Sequence, residues 1–423
     1  KPGEEGTLGC GLGQRMSTGS KGIARPTIEI ANTGEKHIID GVEMEFVYVL
    51  DTEAPVEIMV WLPQLKAFCT AEDMTHNMHN LQTLRGAKVR NGLLWSKAID
   101  TAIERYGDQV EVSFSTHHWP TWGNERIVDY WEAQRDMYRY LHDQTLHLAN
   151  RGLTPDEIAE EMKLPASLAS QFNCRGYYGT LSHNVKAQYD LYFGWFNGNP
   201  AHLNPLPPSE LGSKYVEAIG GADKVLEVAK ASYAKGEYRW VATLLDNLVF
   251  AEPENKEARR LLADTYTQLG YQAESGPWRN FYLTGARDLF KKDVPYTSQL
   301  INDGVLAQMD MGTLLDYCAI QLNGEKAAGK EAVININFTD TKEKVMLMLN
   351  NGVLNHRLDS QDEKADLTLE IEKMDFIKLF FGRTDLQTLL KTNKVRTTGN
   401  TQAMDVICSA YEPADPNFKI VLP

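Results

Sequence analysis

The stretch Val42–Asp73, VEMEFVYVLDTEAPVEIMVWLPQLKAFCTAED, decides how this chain folds. Val42–Leu50 reads as a half-buried strand, Val56–Leu62 as a second and Leu65–Cys69 as a third. If the first strand runs upward, Glu53 sits in the top turn and the chain returns through Val56–Leu62. It turns at Pro63-Gln64, and Leu65–Cys69 then carries Glu72 back to the top. Leu93–Tyr106 has the spacing of an amphipathic helix closed by Gly107, and Val110–Ser115 is a fourth strand that delivers His117 to the same edge. Glu53, Glu72 and His117 are therefore expected at one rim of an α/β segment, the place where open sheets of this kind bind ligands. Carboxylates and imidazole are suitable ligands for zinc. The plainer alternative is a set of solvated turn carboxylates and strand-end histidines.

Outward from this stretch, the first 25 residues hold seven glycines and little periodicity. They read as a long loop, which suggests a chain that begins inside a domain. Residues 124–295 are nearly all helical. A capping box opens one helix at Thr154-Pro155-Asp156-Glu157. Beyond the proline-rich break at Asn204–Pro208 come helices of similar length with short connections, resembling a tetratricopeptide-type array. From residue 300 a helix precedes four strands, with Asn350-Asn351-Gly352 as a hairpin turn, and further helices follow. Three domains are expected, over 1–123, 124–295 and 300–423. In the last, Phe376, Leu379, Phe380 and Phe381 exceed one helical face, so they either cover a lipid-binding surface or complete the domain's own core.

Composition narrows the function. The net charge of −14 argues against nucleic acid, whose binders carry a basic face. No run of apolar residues is long enough for a transmembrane helix. The five cysteines form no C-x-x-C clip, so neither a disulfide framework nor a thiolate metal site is indicated. Between Glu72 and Arg90 lie His76, His79, Asn80 and Arg85. Asn and Arg are donor types that recognise a tetrahedral oxyanion.

The words TAEDMTHNMHNLQTLRGAKVRN, STHHWPTWGNERIVDYW and RGYYGTLSHNVKAQYDLYFGWFNGNPAHLNPLPP resemble those of the type III alkyl sulfatases, and the similarity extends over essentially the whole chain. The resemblance implies an α/β and α+β multidomain protein. It would combine part of a metallo-β-lactamase αβ sandwich, a helical dimerisation domain and a sterol-carrier-like C-terminal domain. It further implies two Zn2+ ions, with Glu53, Glu72 and His117 as ligands and Glu72 bridging. Asn80 and Arg85 would hold the sulfate, His79 would donate a proton, and His183 and Tyr189 would close the pocket. Its implied partners are an alkyl sulfate such as dodecyl sulfate and a second copy of the chain. The location would be periplasmic or secreted. The family's upstream H-x-H-x-D-H ligands have no counterpart here, since no two histidines have H-x-H spacing. The rest of the metal site is thus expected from a segment outside these residues, either cut away or carried on a separate polypeptide. A phosphoester hydrolase and a non-catalytic lipid-binding fragment are the rival readings. The ligands do not distinguish S–O from C–O cleavage.

Overall fold

The computed structural model describes residues 6, 8–9, 22, 24, 26–290, 302–415 and 417–423; most of the N-terminal glycine-rich loop, with Cys10, lies outside them. The chain divides into two compact units, the first built on residues 28–290 with 419–423, the second on 302–415.

The first unit begins with a six-stranded sheet in simple sequence order: β1 (Lys36–Ile39), β2 (Val42–Leu50), β3 (Val56–Leu62), β4 (Ala67–Cys69), β5 (Val112–Phe114) and β6 (Thr121–Trp122). Pairing is antiparallel from β1 to β4, whereas β4 and β5 are parallel. The parallel step needs a crossover, which helix α1 (Gly92–Tyr106) supplies. Asn91 caps α1 by accepting the amides of Leu93 and Leu94. Trp95, Ile99, Ala102 and Tyr106 form its buried stripe at helical spacing. Helix α2 (Asn124–Ala149) packs on α1 and the sheet: Phe68 meets Trp131 edge-on at 5.1 Å, and Trp95 stacks on Tyr138 at 4.6 Å. The boundary expected at 123/124 therefore runs through a single hydrophobic core, which extends to Tyr189. Trp131 and Tyr138 are buried in it, so these two rings of α2 are not available to an interface.

Helix α3 (Pro155–Glu161) carries the expected capping box, and α4 (Ala166–Ala169) and α5 (Leu181–Phe193) follow it. A separate core then joins α6 (Pro208–Ile219), α7 (Ala222–Ala234), α8 (Tyr238–Ala251), α9 (Lys256–Gln272) and α10 (Gly276–Asp288). By core membership the division falls near residue 200.

The second unit comprises α11 (Asp303–Gln308), α12 (Met311–Ile320), α13 (Gly324–Ala327), β7 (Ala332–Phe338), β8 (Lys344–Asn350), β9 (Val353–Leu358), β10 (Leu367–Ile371), α14 (Lys373–Phe380), α15 (Leu386–Lys391), β11 (Val395–Gly399) and α16 (Gln402–Cys408). Its sheet order is β11-β10-β7-β8-β9, with β7 and β10 parallel. Strand β11, missing from the sequence reading, makes five strands where four were expected. Phe376, Leu379 and Phe380 are buried within this unit's own core, and Phe381 packs against it partly buried. They complete the fold, as one of the two alternatives held.

Candidate metal centre

The strand directions bring the three expected residues together. The loops after β2, β4 and β5 emerge at the same edge and carry Glu53, Glu72 and His117 respectively. Two tight backbone conformations set this edge. Ala71 and His118 have φ of 49° and 70°, a region that L-residues with a Cβ visit at a cost, and such strain gathers at functional sites. Thr116 fastens the two loops by donating its backbone amide and its hydroxyl to the Ala71 carbonyl, at 3.1 and 3.2 Å.

Glu72 lies between two imidazoles. Its Oε1 is 3.0 Å from His117 Nε2 and its Oε2 is 3.5 Å from His79 Nε2. Hydrogen bonding from His79 and the charge of both rings hold the Glu72 carboxyl at about 2, far below the ordinary 4.5. Glu53, Glu72 and His79 each offer a ligand atom, all within 4.8 Å of one another, and could hold a metal ion. Ligands on one tetrahedral zinc stand about 3.4 Å apart, given bond lengths of about 2.0–2.1 Å, and the Glu72–His79 separation matches. The imidazole within reach of both carboxylates is thus His79, expected from the resemblance as proton donor, while His117 faces the other oxygen of Glu72.

A cation also fits the surroundings. Glu57 and Asp73 flank Glu72, and the Glu72 amide donates to Glu57 Oε1 at 3.2 Å. Both Asp73 oxygens and Glu57 Oε2 are buried without a hydrogen-bond partner, which is costly for acceptors in a dry site. Burial, and then repulsion by Asp73, pushes Glu57 up to about 9; burial raises Asp73 to about 6. Glu57 therefore keeps its proton at neutral pH and can share it with Asp73. A cation would be answered by the carboxylates of Glu72 and Glu53, which offer ligand atoms beside His79.

One cation beside the cluster is Arg90, which carries no role in the sequence reading. It is 8% exposed in its side chain and pairs with Glu53 through Nη2. Its Nε donates to the Glu53 carbonyl at 2.6 Å, and Nη1 donates to Asn80 O and Oδ1 at 2.9 and 2.5 Å. Arg85, the expected oxyanion ligand, is instead exposed in the turn Leu84–Arg85. Asn80 is buried and engaged by Arg90. His79 Nδ1 lies 3.0 Å from the Asn80 carbonyl. Without metal, Nε2 carries the proton that Glu72 accepts. With a metal bound, a proton on Nδ1 donated to the Asn80 carbonyl would leave Nε2 as the ligand atom, the arrangement that orients metal-bound histidines.

Helix α5 holds this loop, but through residues beside those expected. Asn184 accepts the Leu81 amide at 2.8 Å and donates to the His79 carbonyl at 2.9 Å. One turn on, Gln188 accepts the Gly92 amide at 3.0 Å and donates to the Arg90 carbonyl at 2.9 Å. His183 lies 2.6 Å from the Gln82 carbonyl and accepts from Trp278, and Tyr189 packs on Phe193, so neither enters the carboxylate cluster. Gly179 comes so close that an added Cβ would lie 2.5 Å from the His79 carbonyl oxygen. Only glycine tolerates that approach. Beyond the cluster a cavity of about 320 Å³ opens, lined by Thr75, Asn77, His79, His117, His118 and Tyr178 among others.

Comparison with known proteins assigns the chain to a family. Residues 154–292 match the family model described as alkyl sulfatase dimerisation, and residues 299–423 the one described as alkyl sulfatase C-terminal. A linear primary-alkylsulfatase from Pseudomonas sp. (strain ATCC 19151) is 30% identical over 96% of this chain and 78% of its own length. The chain belongs to the alkyl sulfatase family. A second linear primary-alkylsulfatase, from Pseudomonas sp., is 45% identical across the whole chain, which spans 63% of it. The solved structure of a stereoselective inverting sec-alkylsulfatase from Pseudomonas sp. superposes with a TM-score of 0.92 at 41% identity, covering 95% of this chain and 63% of that one. The chain therefore spans a little under two thirds of the length of these last two relatives.

Proposed function

We propose that the full-length protein is a zinc-dependent alkyl sulfatase that hydrolyses alkyl sulfate esters such as dodecyl sulfate to alcohol and sulfate, and works as a homodimer. The observation that carries this reading is Glu72, a carboxylate with one oxygen turned to His79 and the other to His117, as a group bridging two cation positions would be. Glu53, Glu72 and His117 would hold the metal pair with His79 beside them, and the remaining ligands would come from sequence outside this chain. Zinc, when bound, supplies a Lewis acid that acidifies water and offsets anionic charge. The chain's own residues do the rest. Arg90 fixes Glu53, the Asn80 carbonyl fixes the ring of His79, and Asn77 holds His118 at 3.2 Å on the cavity wall. Asn77 and Thr75 give that wall polar groups able to meet sulfate oxygens. The dimerisation match over residues 154–292 supports the second copy.

The test is sulfate release from alkyl sulfates by metal-loaded full-length protein, alongside alkyl phosphates of the same length. Preference for the phosphates, or no release of sulfate, overturns the reading. Metal analysis of His79→Gln separates its two possible roles: lost metal marks a ligand, and retained metal with lost turnover marks a proton donor.

A further inference from the structure

Next to the cavity, the surface carries large aromatic rings that the fold does not use. Trp119 is 56% exposed, Phe172 50% and Trp122 58%. They come from two separate segments, the stretch from His117 into β6 and the short turn Phe172–Cys174. The rings form a row leading away from the site. Tyr177, on the cavity wall, lies 5.3 Å from Phe172, and Phe172 lies 6.1 Å from Trp119. Trp119 in turn stacks on His76 at 5.0 Å, and His76 on Tyr130 at 4.8 Å. Beyond Tyr177, the rings of His76, Trp119, Tyr130 and Phe172 border a second hollow of about 490 Å³, with Arg126 and Asp129 on its wall. Single exposed apolar residues are ordinary, whereas a connected patch beside a polar site marks something that binds there.

We propose that this row seats the alkyl chain of the substrate, with the sulfate end in the cavity beside His79 and His117 and the methylenes laid over Tyr177, Phe172 and Trp119. The inference rests on the alkyl sulfatase reading and adds where the tail goes. Continuity with the cavity favours this occupant: Tyr177 belongs to both, and Trp119 follows directly on His117-His118. The flat ring faces offer contact area and almost no hydrogen-bonding groups, which suits a flexible hydrocarbon. Two ring-to-ring steps outrun a short ester and suit a medium or long chain.

The test compares kcat/KM of full-length wild type, Trp119→Ala, Phe172→Ala and Trp119→Phe on n-alkyl sulfates from butyl to dodecyl, kept below micelle-forming concentrations. Each added methylene seated on the row should improve KM by about threefold to fourfold. The alanine variants should therefore lower the dodecyl-to-butyl ratio by about tenfold or more, and Trp119→Phe should restore most of it. An unchanged ratio, as when another part of the full-length protein covers the row, overturns the proposal. So does an equal loss at both lengths. If wild type hydrolyses no alkyl sulfate, the proposed function fails, and the row is decided separately by calorimetric binding of decyl sulfonate. Binding weakened about tenfold in Trp119→Ala upholds it, and equal binding refutes it.

Discussion

Replacing Arg90 by Met should cost the first unit about 3 kcal/mol of stability. The guanidinium is almost fully buried, and it answers the Glu53 carboxylate, the Glu53 carbonyl and the Asn80 amide at once. Removing one member of a buried ion pair costs roughly 3–5 kcal/mol, because the other charge is left uncompensated. Glu53 keeps 20% side-chain exposure, so water softens the loss and the lower end applies. Arg90→Lys retains the charge but not the planar fork that reaches four acceptors, and should lose about half as much. Lys66→Met is the control. Its pair with Glu111 is 3.1 Å long but about 60% exposed on both sides, and such pairs contribute at most about 1 kcal/mol. Urea titrations of metal-free protein, read on the first unfolding transition, give all three values. Equal stabilities for Arg90→Met and Lys66→Met would refute the reasoning, as would equal losses for the Met and Lys variants at position 90.

Three further outcomes follow from the same region. Glu57 has its folded carboxyl raised to about 9, so above pH 4.5 the unfolded chain loses a proton that the folded chain keeps, and stability falls as pH rises toward 9; in chelator, Glu57→Gln should gain on wild type steadily across this window, and a pH-independent difference would contradict the assignment. Gly179→Ala forces a methyl against the His79 backbone and should cost about 1–3 kcal/mol while sharply lowering metal affinity, both measurable on one sample by denaturation and zinc titration. Asn184→Ala leaves the Leu81 amide and the His79 carbonyl unpaired in the core, and should destabilise by about 2–4 kcal/mol in the same unfolding assay.

Much of the fold was legible because its elements announce themselves locally. Thr154 to Glu157 is a capping box in the structure, and the Asn351-Gly352 turn takes the positive φ angles of 53° and 76° that its residues permit. Strand parity alone placed Glu53, Glu72 and His117 on one rim. Strand β11 escaped because VRTTG is short and mostly exposed, and becomes a strand only by pairing with β10, distant in sequence. The choice of arginine was equally hidden. Arg85 and Arg90 are both plausible donors in sequence, and the backbone bond from Arg90 to Leu81 turns the second inward while the first stays in an exposed turn. On α5 the reading fell one position away twice, on His183 and Tyr189 instead of Asn184 and Gln188. Adjacent helical positions point about 100° apart, so a one-residue error swaps the face that grips the site loop. Two amides at i, i+4 on that helix were the available signal.

The carboxyl cluster of Glu53, Glu57, Glu72 and Asp73 also bears on how long the protein survives. A domain that concentrates negative charge in a dry pocket folds with a handicap until a cation arrives, and ligand binding to the native state adds about 2.7 kcal/mol at a hundredfold excess over Kd. On the proposed function, metal supply would then govern the lifetime of the polypeptide as well as its activity. If the proposed metal binds here, freshly made chains in metal-starved cells would populate the unfolded state more often and be degraded sooner, so the amount of protein would track metal availability with no dedicated regulator.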